Sequence, residues 1–392
     1  MPTARARTLF LLVPGFCLLA GLDAALLLLG VWAPVPEAAA AHLPSRHGML
    51  MVLGFLGALI ALERAVALRT PWAYAAPACL GLGGLALVAP LPTPLGAILL
   101  ADGAALLLAT YAALYRRRAD ATVAIEALGA LAALVGALLW LRLDVAALVP
   151  WLATFVVATI AAERVELARL ALPRHAEHTA LAFAVALVAA ATSTLLAASW
   201  GFRACGLVIV LLVAWLARHD VARRTVRSVG LPRYSAAAML LGYGWLALAG
   251  AIWLVGGPPT DQGRYDATVH ATFLGFAMSM VLAHAAVILP AIVRRPLPYH
   301  AALWAPLVLL HAGLAVRVGG DLVGSRTPWV VGSVATVVAL LMLPPVLVTL
   351  AARAPRRGRT GAGYPPGRPL TTSTLGAMAP RAQDDERSEA AR

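Results

Sequence analysis

Apolar runs of about 20 residues recur along this chain with almost no break, and that recurrence constrains the fold more than any other feature. A helix rises 1.5 Å per residue, so about 20 residues cross the hydrocarbon core of a bilayer. In lipid the backbone must satisfy its own hydrogen bonds, which leaves helices or closed barrels. The runs are too long and lack the two-residue alternation of barrel strands, so they predict an all-α polytopic bundle. The composition agrees: 61% of residues are hydrophobic and 12% charged, too few charges to cover a water-soluble domain.

The pattern predicts about twelve spans, at 8–33, 47–68, 72–90, 95–115, 121–141, 145–168, 179–200, 202–218, 234–256, 266–293, 299–318 and 328–352. Short Pro- and Gly-rich turns separate them, such as Gly256-Gly257-Pro258-Pro259. Residues 1–352 therefore form one transmembrane domain, and the Arg-, Pro-, Gly- and Ser-rich stretch 353–392 reads as a disordered cytoplasmic tail. The first run exceeds the roughly 7 to 15 residues of a signal-peptide core, so it reads as a retained span. The formal charge of +13 comes with Arg alone and no Lys. Clustered between apolar runs, these arginines report topology rather than nucleic-acid binding. Seventeen lie on the side of the N-terminus and six on the other, which places both termini in the cytoplasm of a bacterial inner membrane. Cys17, Cys79 and Cys205 stand apart with neither disulfide nor zinc spacing.

Spans two, six and ten read as copies of one element at a four-helix period. Phe55 precedes Glu63-Arg64 by eight residues, Phe155 precedes Glu163-Arg164 by eight, and Phe276 precedes His284 by eight. This implies a pseudo-threefold repeat of four-helix units.

Ionisable residues inside a membrane cost a few kcal/mol, about 2.5–3.5 on insertion scales, and so default to functional candidates. His47 opens the second span and His270 lies just inside the tenth, at a shared depth. Two neutral imidazoles on separate helices suit the axial positions of a low-spin haem. Arg46, Arg264 and Arg317 are candidate partners for its propionates. His284 and His311, with His300, form a second candidate cluster for a redox metal or a proton relay. Asp23, Asp102, Glu126 and Asp266 are the buried carboxylates, with Asp266 a candidate helix cap. No phosphate loop, nucleophile elbow or HExxH motif is present.

The segments HGMLMVLGFLGALIALERAVAL (47–68), DATVHATFLGFAMSMVLAHAAVILP (266–290) and LLHAGLAVRVGGDL (309–322) resemble the NnrS family of bacterial membrane proteins. The resemblance implies haem and copper binding, a link to nitric oxide, ligand roles for His47 and His270, and a match for Arg317. More distantly, twelve spans with histidines on the second and tenth are similar to the catalytic subunit of haem-copper oxidases. Spans six and seven here lack that subunit's copper-ligating histidines, which argues against a complete binuclear centre.

The sequence thus predicts a haem-binding inner-membrane protein in electron transfer or nitric oxide handling. Its haem is expected to be of b type, with copper a second candidate and a quinol or a cytochrome as electron donor. The competing expectations are a proton-coupled transporter or permease without a redox cofactor, and a structural or assembly factor.

Overall fold

The computed structural model describes residues 4–169, 171–293 and 297–353. Within them the chain is an all-α polytopic membrane protein whose twelve long apolar helices meet the lipid bilayer. The spans run Ala4–Leu29, Leu43–Leu68, Pro71–Val88, Thr93–Arg117, Ala121–Leu139, Val145–Leu167, Ala176–Leu196 and Ala198–His219 for the first eight. Spans 9, 11 and 12 are Leu231–Gly256, Ala301–Val323 and Arg326–Arg353. Span 10 runs through three helical stretches, Gln262–His270, Ala271–Ala277 and Met278–Val293. The tail expected from residue 353 onward lies outside the described residues, except for Arg353 itself, which ends span 12.

Several boundaries differ from the hydropathy reading for local reasons. Span 1 stops at Leu29 rather than 33 because Gly30 adopts φ 71°, the left-handed conformation that closes helices and that glycine takes without strain. Span 2 begins at Leu43, with Pro44 in the first turn where a missing N–H costs nothing. His47 is therefore a turn inside the helix instead of opening it. Span 10 begins at Gln262, and its cap is Asp261, whose Oδ1 accepts the Arg264 N–H at 2.8 Å. Asp266, expected as a cap, sits a turn further in and has another role.

Sequence neighbours pack as antiparallel pairs, including spans 3 with 4, 5 with 6, 8 with 9 and 11 with 12. Small residues set the close approaches, as expected where lipid gives helices no hydrophobic reason to associate. A Cβ on Gly275 of span 10 would stand 2.5 Å from the Cβ and Cγ of Trp245 in span 9. Spans 2, 6 and 10 supply much of the central core, with Phe55, Phe155 and Phe276 all buried.

Two short stretches depart from α geometry. Leu50–Gly57 in span 2 and Ala271–Ala277 in span 10 are π-helical, and each carries a Leu-Gly-Phe triplet. Wide turns of this kind are rare and concentrate at functional sites. Both follow directly on the helical turn that bears His47 or His270.

Candidate functional site

His47 and His270 line one cavity between spans 1, 2, 10 and 12, with Arg317 of span 11 at its edge. The backbone carbonyl of Gly21 in span 1 accepts the His47 Nδ1 proton at 2.8 Å. A Cβ at Gly21 would press on the Met51 thioether, so a larger residue there requires that flexible side chain to move. His270 Nδ1 lies 2.9 Å from the Asp266 carbonyl one turn earlier and 3.3 Å from the Asp266 carboxylate. With Nδ1–H donated in both rings, each Nε2 keeps its lone pair, and neither Nε2 has a hydrogen-bond partner among the described residues. A histidine with Nδ1–H on a carbonyl and Nε2 free in a cavity is oriented as metal-binding histidines are.

The cavity lining runs from His47 to Leu56 on span 2 and from Val269 to Met278 on span 10. Nine residues at 1.5 Å each make about 13 Å. Its volume is about 80 Å³, so over that length it is a narrow slot. Admitting a flat macrocycle requires Met51, Phe273 and Met278 to yield, and two of these are methionines, which re-pack readily.

The three arginines separate clearly. Arg317 Nε and Nη2 grip the Asp266 carboxylate in a fork at 2.8 and 2.7 Å, and Trp329 Nε1 donates to the same carboxylate at 3.1 Å. Arg317 Nη1 makes no hydrogen bond among the described residues and belongs to a side chain that lines the slot, so it can meet an anionic substituent. Arg46, expected beside His47 as a propionate partner, points instead to the turn between spans 3 and 4. There it donates to the Leu87 carbonyl at 2.6 Å and to Thr93 at 2.8 Å. Adjacent residues on a helix lie about 100° apart, so adjacency to His47 takes Arg46 off the slot. Arg264 is exposed and bound to Asp261 and Thr260, again away from the slot.

The second candidate cluster divides as well. His311 accepts from Trp245 Nε1 at 2.8 Å through Nδ1 and meets the Ser279 hydroxyl at 3.3 Å through Nε2, so both nitrogens serve helix packing. His300 caps its own turn by accepting from Ala302 N. Among the described residues no group of three or more His, Cys, Asp or Glu side chains is placed to hold a metal ion. His284 keeps a different environment. Its Nδ1 lies 2.7 Å from the Met280 carbonyl, its Nε2 is 3.4 Å from Arg164, and it lines a second cavity of about 240 Å³ with Glu63 and Glu163. The three residues that follow the repeated Phe by eight positions thus reach one space from spans 2, 6 and 10.

Around this second cavity lie two charge clusters, one half-buried about Arg64 and one buried about Arg164. Arg64 faces three carboxylates, Glu63 at 3.1 Å, Glu126 at 3.2 Å and Glu163 at 3.2 Å. Glu126, one of the four carboxylates expected to be buried, thereby has an ion-pair partner, though neither of its oxygens takes a hydrogen bond from the described residues. Arg164 forks onto Asp220, just past the end of span 8, with both bonds at 2.9 Å, and the Tyr243 hydroxyl donates to the same carboxylate at 2.6 Å. Burial pushes the Asp220 carboxyl up, but Arg164, the Ala222 N–H and Tyr243 outweigh it and hold the group below its ordinary range. Asp102, expected to be buried, is exposed on the surface of span 4.

Sequence reasoning missed Gly21 as the anchor of His47, Trp329 as a partner of Asp266, and Asp220. Asp120 and Asp220 stand 100 residues apart, as Glu63 and Glu163 do, and each accepts a backbone N–H two residues later, from Thr122 and Ala222. That repetition was the available signal.

No curated protein matches the sequence. Residues 7–352 match a family described as a domain of unknown function, DUF8744, which covers all twelve spans. The chain therefore belongs to the DUF8744 family.

Proposed function

We propose that this membrane protein binds haem in the slot between spans 2 and 10, with His47 and His270 as axial ligands, and takes part in electron transfer or nitric oxide handling. The observation that carries the reading is the matched presentation of the two rings. Both residues line one cavity, and each keeps an Nε2 without a hydrogen bond among the described residues while its Nδ1 is fixed on a carbonyl, Gly21 for one and Asp266 for the other. The paired π-helical stretches beside the slot and the Arg317 Nη1 at its edge support the same conclusion.

Haem bound there would supply the redox chemistry, and its axial ligation and burial would set the potential. The chain's own part is to fix ring orientation through Gly21 and Asp266, to keep water out with apolar walls, and to hold Arg317 near an anionic edge through its fork with Asp266. The resemblance to the NnrS family adds to this reading, and the described residues give copper no site of three ligands. The arginine asymmetry supports a reading in which both termini lie on the cytoplasmic side of a bacterial inner membrane and the histidine slot lies towards the outer face.

A pyridine haemochrome assay on the purified protein tests the proposal. The expected result is about one b-type haem per chain, lost or spectrally altered in both His47→Ala and His270→Ala. A well-folded protein purified without haem from haem-replete cells would leave the permease reading in its place.

A further inference from the structure

The 240 Å³ cavity that receives Glu63, Glu163 and His284 adjoins the histidine slot. Leu56, Met278 and Leu340 line both, so those three side chains are the wall between them. Apart from Thr159, whose hydroxyl donates to the Phe155 carbonyl, the rest of its lining is apolar and comes from spans 1, 2, 6, 10 and 12, in the half of the membrane nearer the N-terminus. Spans 1 and 12 also present large apolar side chains to lipid, such as Phe16 and Val348, so the cavity lies beside the bilayer rather than beneath an aqueous loop.

Its polar groups are acceptors. Arg64 Nη2 engages only Oε1 of Glu63 and only Oε1 of Glu163, leaving each Oε2 without a hydrogen bond among the described residues. His284 gives its Nδ1 proton to the Met280 carbonyl, and its Nε2 meets Arg164 only at the long distance of 3.4 Å. An acyl chain offers nothing to these atoms. A ring bearing hydroxyl groups on an apolar tail offers donors to the carboxylates and surface to the leucines.

We propose that this cavity is a binding site for a lipid-dissolved quinol, with Glu63 and Glu163 accepting hydrogen bonds from its hydroxyl groups and Ile160, Leu59 and Leu343 holding its tail. The redox meaning of the site rests on the haem reading, since a quinol here sits one side-chain layer from the histidine slot. The binding itself does not. While the two carboxylates are ionised their open oxygens accept and do not donate, and in that state the site prefers the hydroxyl-bearing reduced form to the carbonyl-bearing oxidised one.

The test is equilibrium binding of decylubiquinol, kept reduced under argon, and of decylubiquinone to the purified full-length protein in detergent, with 1-dodecanol as a tail without a ring. Decylubiquinol is expected to bind saturably, one per chain, about tenfold or more tighter than decylubiquinone, as a hydrogen bond to a charged acceptor implies. Glu63→Gln and Glu163→Gln, which put an amide donor in place of an acceptor, should each shrink that preference. Ile160→Trp, or Leu343→Trp from the opposite wall, should abolish binding while leaving the elution profile of the protein unchanged. Equal affinity for the two redox forms, binding indifferent to both tryptophan variants, or dodecanol binding as well as the quinol would overturn the proposal. His47→Ala should lose haem and keep quinol binding, whereas an unmodified protein purified without haem that still binds decylubiquinol refutes only the haem reading.

Discussion

Replacing Arg317 by Met removes one half of a buried ion pair and leaves Asp266 without its cation. Both side chains are 8% exposed, so neither charge can be rescued by water without local unfolding. Two forked bonds at 2.8 and 2.7 Å hold the pair, and Trp329 and His270 occupy the remaining space around the carboxylate. Breaking such a pair from one side typically costs about 3–5 kcal/mol, whereas replacing both members by apolar groups is often neutral or better. Arg317→Met and Asp266→Leu should therefore each lose about 3–5 kcal/mol, and the double variant should recover most of it. At 1.36 kcal/mol per factor of ten, the single losses correspond to at least about a hundredfold in the unfolding constant. Unfolding by sodium dodecyl sulfate in mixed micelles, followed by circular dichroism, measures the cycle. A double variant as unstable as the sum of the singles would refute the reasoning, because the two charges would then act independently.

His311→Leu leaves the half-buried Trp245 N–H without its acceptor and should cost about 1–3 kcal/mol in the same unfolding assay, with the haem spectrum unchanged. Gly275→Ala drives a methyl group to 2.5 Å from Trp245 and should cost about 1–3 kcal/mol by overpacking, read as a lower melting temperature. Asp220 stabilises the fold only while ionised. Its folded-state pKa lies below the unfolded value near 3.9, so its contribution is full above about pH 4 and is lost as pH falls through the folded value. Asp220→Asn should therefore destabilise the protein at pH 7 and flatten its loss of stability as pH falls below about 4, as measured by thermal unfolding over a pH series.

The fold was legible because lipid punishes ambiguity: a run of some 20 apolar residues has one stable structure, and each run became a helix close to its expected limits. The histidine pair was legible for a related reason, since a charged or polar group at membrane depth needs a purpose or a partner. Partners were harder to read. Arg46 was placed beside the site because it adjoins His47, yet one step along a helix turns a side chain by 100°, and the Leu87 carbonyl claims it. Glu126 and Arg64 lie 62 residues apart on spans 5 and 2, and no local pattern announces their contact at 3.2 Å. The π-helical turns were also hidden. Leu-Gly-Phe lies within both, and only the recurrence of that triplet in the two histidine-bearing spans hinted that they shared a local geometry. The Phe-plus-eight repetition was visible in the sequence, but its convergence on one cavity needed three spans assembled in space.

Electron paramagnetic resonance of the oxidised, purified protein tests the central claim most directly, because the low-spin ferric signal reports the two axial ligands together. The account predicts a bis-imidazole low-spin spectrum that gives way to high-spin iron or no haem when either His47 or His270 becomes alanine. A high-spin spectrum in the unmodified protein, or a low-spin one that survives both substitutions, would contradict it.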